Sequence, residues 1–89
     1  MKKKILVIDD EATIRTLLVS FLSRKYNVVS QNNGAEGLAW LQEGDIPDLI
    51  VCDVEMPKLD GYEFIKSVKA SGYFKNIPLI MLSGLDTSA

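Results

Sequence analysis

With 89 residues the chain holds one domain at most, and a domain of that size hides only about 60–65% of the surface its unfolded chain exposes. Hydrophobic residues make up 47% and charged residues 25%, the balance of a globular protein, and a net charge of −2 argues against the basic face that broad nucleic-acid binding needs. The chain has no histidine and one cysteine, Cys52, which excludes Ser/His/Asp triads, histidine zinc sites, an internal phosphohistidine and an intrachain disulfide.

The first apolar run, Lys4 to Ile8, reads as a strand buried on both faces and ends at Asp9 and Asp10. Ile14, Leu17, Leu18, Phe21 and Leu22 follow at helical spacing and predict one inward helix face, with Arg15, Thr16, Ser20 and Ser23 largely on the other side. Asn27 to Gln31 is a second, β-branched strand. Asn33 and Glu36 give the helix-start signal of a capping residue followed three positions later by an acid. Leu38 and Leu41 carry that helix's apolar side, Trp40 its flank, and Gly44 suits the position just after its end.

The turn at Asp45, Ile46 and Pro47 leads into the central strand, Asp48 to Asp53. Asp60 and Glu63 predict the start of a third helix, whose inward side is Ile65 and Val68 with either Tyr62 or Phe64. Pro78 to Ser83 is a fourth strand, and Pro78 is tolerable because it comes first. Strands that alternate with helices imply a parallel sheet with right-handed crossovers and helices on both faces. No stretch is long enough to span a membrane, and the run after Lys2 to Lys4 meets acids after four apolar residues, so no signal peptide is read. The expected location is cytoplasmic.

In a parallel sheet all strands end at one edge. Asp9, Asp10 and Asp53 end strands there, and so does the hydroxyl of Ser83. If the first and third strands are neighbours, three carboxylates meet and repel unless a cation joins them. A hard dication such as Mg²⁺ answers that need, with room for a phosphoryl oxygen. Taken singly, Asp9 reads as a solvated strand-end acid and Asp60 as a helix cap. The joint pattern carries the metal-site reading.

The segments Ile5 to Glu11, Asp48 to Asp53, Met56-Pro57, Asp60-Gly61 and Pro78 to Gly84 resemble the receiver domains of two-component response regulators, across essentially the whole chain. The resemblance implies a flavodoxin-like doubly wound parallel sheet with strand order 2-1-3-4. The family's fifth strand and last two helices, with their lysine and aromatic residue, have no counterpart in these residues. It implies that Asp53 is the phosphoacceptor, that Asp10 binds Mg²⁺ directly and Asp9 through water, and that the backbone carbonyl of Glu55 completes the protein ligands. It also implies that the Ser83 hydroxyl and the Gly84 amide contact the phosphoryl oxygens, and that Glu55 and Leu85 tune phosphoryl lifetime.

The donor would be a phosphohistidine on a sensor histidine kinase or a phosphotransfer protein, and the module would not be a turnover enzyme. A phosphatase of the aspartyl-nucleophile type would want a second Asp where Glu55 stands. A pseudo-receiver acting as a scaffold or dimerisation module is the other alternative. The chain is read as a fragment of a longer receiver. Its strand four, unguarded by charge, is expected to drive self-association, and the surfaces of strands one and three to lose cover.

Overall fold

Each short apolar run becomes a strand because a β-branched or aliphatic side chain can be buried on both faces of a parallel sheet. The computed structural model describes residues 2–53, 61–72 and 74–82. Along the chain lie β1 (Lys4–Ile8), α1 (Ala12–Leu22), β2 (Asn27–Gln31), α2 (Gly34–Gln42), β3 (Leu49–Asp53), α3 (Gly61–Ala70) and β4 (Leu79–Leu82). All strand pairings are parallel and the order is β2-β1-β3-β4. This is the doubly wound order that the resemblance implied.

Side chains alternate across the sheet, so each strand feeds two cores. Leu6, Ile8, Ile50 and Cys52 face one way and pack with Leu41 of α2, Phe64 and Val68 of α3, and Ile77. Ile5, Val7 and Val51 face the other way, against Leu18, Leu22 and Tyr26 from α1 and the turn after it. The choice left open on α3 falls to Phe64, which is fully buried, while Tyr62 is 66% exposed.

Asn33 caps α2 as its spacing predicts. Its side-chain oxygen accepts the Glu36 N–H at 2.9 Å, and Glu36 reaches back to the N–H of Asn32 at 3.2 Å. After the helix, Gly44 takes φ +109°, a left-handed conformation that glycine adopts without a Cβ penalty. Gly37 has a different job. A Cβ there would overlap Ile8 Cδ1 and lie 3.2 Å from both Ile8 Cγ1 and Phe64 Cε1, so its bare backbone lets α2 sit close to the sheet and to α3.

Two expectations are corrected. The apolar stripe of α1 is not buried as a unit: Leu17 is 64% and Phe21 68% exposed, while Leu18 and Leu22 pack inward. Successive helical residues lie about 100° apart, and the line of contact with the sheet runs along the 18/22 ridge, which leaves 17 and 21 on the flank. Strands one and three also keep their cover, since Ile5, Val7 and Val51 are 3%, 0% and 7% exposed. Within the sheet the exposed large apolar side chain is on β4, the edge strand among the described residues, where Ile80 is 50% exposed.

A candidate metal and phosphoryl site

The register fixes where the acids meet. Ile8 pairs with Cys52 across β1 and β3, so the residues that follow each, Asp9 and Asp53, emerge side by side at the carboxyl edge. Asp10 lies one residue on. One carboxylate oxygen from each of Asp9, Asp10 and Asp53 can be chosen so that all lie within 4.8 Å of one another. Ligands of open α/β sheets bind outside such strand ends.

The three acids differ in surroundings. Asp9 is 2% exposed, Asp53 half-buried and Asp10 exposed. Asp9 is held at three points: its N–H donates to Gln31 O at 3.3 Å, its Oδ1 accepts the Glu11 N–H at 2.9 Å, and its carbonyl accepts Arg15 Nη1 at 2.7 Å. The Glu11 contact also serves α1, whose N-cap residue Glu11 makes no side-chain capping bond of its own. Asp9 is thus a structural acid as well as a site acid.

Burial pushes the Asp9 carboxyl above the usual carboxylate range. The Glu11 N–H opposes that shift, and the charges of Asp53, Asp10 and Glu11 add to it. Cys52 beneath the site donates its thiol hydrogen to the Asp53 carbonyl at 3.2 Å. Burial, then the charges of Asp53 and Asp9, push that thiol up to about 12, so it stays protonated and offers no soft ligand.

These residues fit a hard dication. Mg²⁺ takes an octahedron of oxygens at about 2.0–2.1 Å, which places ligand oxygens about 2.9 Å apart when adjacent and about 4.2 Å apart when opposite. The 4.8 Å limit on the trio lies close to that span. All the donors are carboxylate oxygens, the type that suits magnesium, calcium or manganese.

Asp9→Asn keeps the acceptor for Glu11 and removes the charge that burial penalises. An acid whose pKa is raised by folding stabilises the fold at low pH and loses that contribution as pH rises through the folded value. At neutral pH without divalent ions the variant is therefore expected to melt higher than the parent. The gain should vanish near pH 3. Thermal melts at both pH values check this.

The sequence has Asp9, Asp10 and Asp53 meet on the condition that the first and third strands are neighbours, and the pairing of β1 with β3 meets that condition. Glu55, Ser83, Gly84, Leu85 and the cap residue Asp60 lie outside the described residues. Arg15 is the residue that sequence reasoning misses, since helical spacing puts it largely on the side of α1 away from the apolar stripe. The signal was available: helix side chains tilt toward the N-terminus, and Arg15 stands in the first turn after the acids.

The family model for the response regulator receiver domain matches residues 5–89. The chain is similar to the sensor histidine kinase CheAY of Helicobacter pylori, 43% identical over 81 residues, which are 89% of this chain and 10% of that protein. It is 45% identical over 87 residues to the alkaline phosphatase synthesis transcriptional regulatory protein PhoP of Bacillus subtilis, which are 97% of this chain and 35% of that one. The chain therefore spans no more than about a third of these relatives' lengths. Among solved structures, the chemotaxis response regulator CheY4 of Vibrio cholerae superposes with a TM-score of 0.85 at 34% identity, covering 91% of this chain and 68% of that one. On the match of fold, strand order and sequence over residues 5–89, the chain belongs to the response regulator receiver domains of two-component systems.

Proposed function

We propose that Asp53 accepts a phosphoryl group from a phosphohistidine on a sensor kinase or a phosphotransfer protein, in the cytoplasm, with Mg²⁺ at the acidic cluster. The observation that carries this reading is the convergence of the three carboxylates within 4.8 Å at the ends of β1 and β3. Asp9, Asp10 and Asp53, with the backbone carbonyl of Glu55, would hold the ion. Bound Mg²⁺ supplies compensation for the charge on the transferring group.

The chain's own part follows from placement. Asp53 ends an interior strand and is half-buried, so its carboxylate is both reachable and oriented by β3. A carboxylate oxygen of Asp53 forms the new P–O bond while the N–P bond breaks and its electron pair returns to the donor imidazole. Asp9 is too enclosed to act as nucleophile. Its hydrogen bond from Glu11 keeps the β1–α1 turn in place. Ser83 and Gly84 would donate to the phosphoryl oxygens. One transfer per chain makes this a signalling module and not a turnover enzyme.

The test is phosphoryl uptake from phosphoramidate, a small donor with the same kind of N–P bond, followed by intact-mass analysis. One added phosphoryl group, dependent on Mg²⁺, supports the reading. No uptake, together with no binding of beryllofluoride, overturns it in favour of a scaffold.

Partner chemistry includes the chain itself. Among the described residues β4 is an edge strand, with Ile80 half-exposed and no charged residue between Leu79 and Leu82. Such an edge templates pairing with another copy. Sedimentation at micromolar concentration should show dimers or larger species, and Ile80→Lys should return them to monomer. A parent that sediments as a monomer rules the pairing out.

A further inference from the structure

We propose that Arg15 is a positioning residue for the metal site, acting through the main chain of Asp9 and not through charge. This rests on the Mg²⁺ reading above. The Arg15 side chain ties α1 back to the end of β1. Its N–H makes the ordinary first-turn helix bond to Glu11 O at 2.9 Å, which any side chain at this position would leave in place, while its Nη1 reaches back to Asp9 O at 2.7 Å. Asp10, the exposed acid of the trio, follows directly on the residue so held.

The acceptor matters. A guanidinium seated on a carboxylate would compete with the dication for it. Seated on the Asp9 carbonyl, Arg15 fixes the backbone from which both Asp9 and Asp10 project. Supports of this kind, which touch the backbone or ligand and not the ion, set affinity by limiting how far the ligands can stray.

Clamp and charge predict opposite signs. A cation near a dication repels it, so if charge were the role, Arg15→Ala would tighten Mg²⁺ binding. The clamp predicts weaker binding, roughly tenfold, with partial recovery in Arg15→Lys, which keeps one donor for the carbonyl. Arg15→Met preserves the apolar stem on α1 and should behave like Arg15→Ala, which covers the case of a poorly folded alanine variant.

The experiment measures the Mg²⁺ dissociation constant by calorimetry for the parent and the three variants, and amide exchange at Glu11 in ion-free protein. Expected are weaker binding in the alanine and methionine variants, recovery toward the parent with lysine, and faster exchange at Glu11 wherever the clamp is cut. Equal affinities in parent and variants overturn the role of Arg15 and leave the acceptor reading standing. Tighter binding in the neutral variants overturns it as well, in favour of charge. A parent that does not bind Mg²⁺ overturns both readings together.

Discussion

Asp53→Asn should take up no phosphoryl group from phosphoramidate under conditions that fully modify the parent. Asparagine has nearly the same shape, so β3 and its pairing with Leu82 should survive. The amide nitrogen and oxygen are poor nucleophiles beside a carboxylate, and the new P–O bond cannot form. The same change removes one of three clustered negative charges. The affinity for Mg²⁺ should therefore fall at least about tenfold, the loss typical when a metal site is perturbed. Asp9 gains from the change, because the Asp53 charge is one of the causes that raise its carboxyl. The ion-free variant should thus melt no lower than the parent. Phosphoryl uptake that persists in Asp53→Asn would assign the acceptor to another residue, with Asp10 the accessible alternative.

Phe64→Ala carries the largest expected cost to stability. Phe64 is fully buried on α3, in the cluster formed by Leu6, Ile8, Ile50, Cys52, Leu41 and Val68. Its ring also lies against the bare backbone at Gly37, so it joins α3 to α2 as well as to the sheet. Truncating a buried Phe costs about 3–5 kcal/mol from lost burial and the cavity left behind. A domain of this size holds on the order of 4–13 kcal/mol in total. Urea denaturation should show the midpoint falling by roughly a quarter or more, and a parent near the lower bound would not fold after the change. Phe64→Leu, which refills most of the volume, should cost less than half as much. Equal losses in the two variants would mean that the ring's shape, and not its volume, holds α3.

Much of the architecture was legible because strand and helix periods were clean. The capping pair at Asn33 and Glu36, the glycine at 44 and the acids closing β1 and β3 all stand where local chemistry placed them. Strand order came from the family resemblance, since four apolar runs of similar length carry no label saying which pairs with which. Helical spacing gave five apolar positions on α1 but not which of them would meet the sheet, so Leu17 and Phe21 were assigned inward and lie outside. On α3 it left Tyr62 and Phe64 equivalent until the approach to α2 chose Phe64.

The sequence by itself determined which residues could do chemistry here: acids at strand ends, no histidine, one enclosed thiol. Only the tertiary structure decided that β1 and β3 are neighbours, which turns separate acids into one cluster, and that Arg15 turns back onto Asp9. The reason is physical. Residue type and period are local properties, whereas the distance between Asp9 and Asp53, 44 positions apart, is set by how two helices and a sheet share their buried faces.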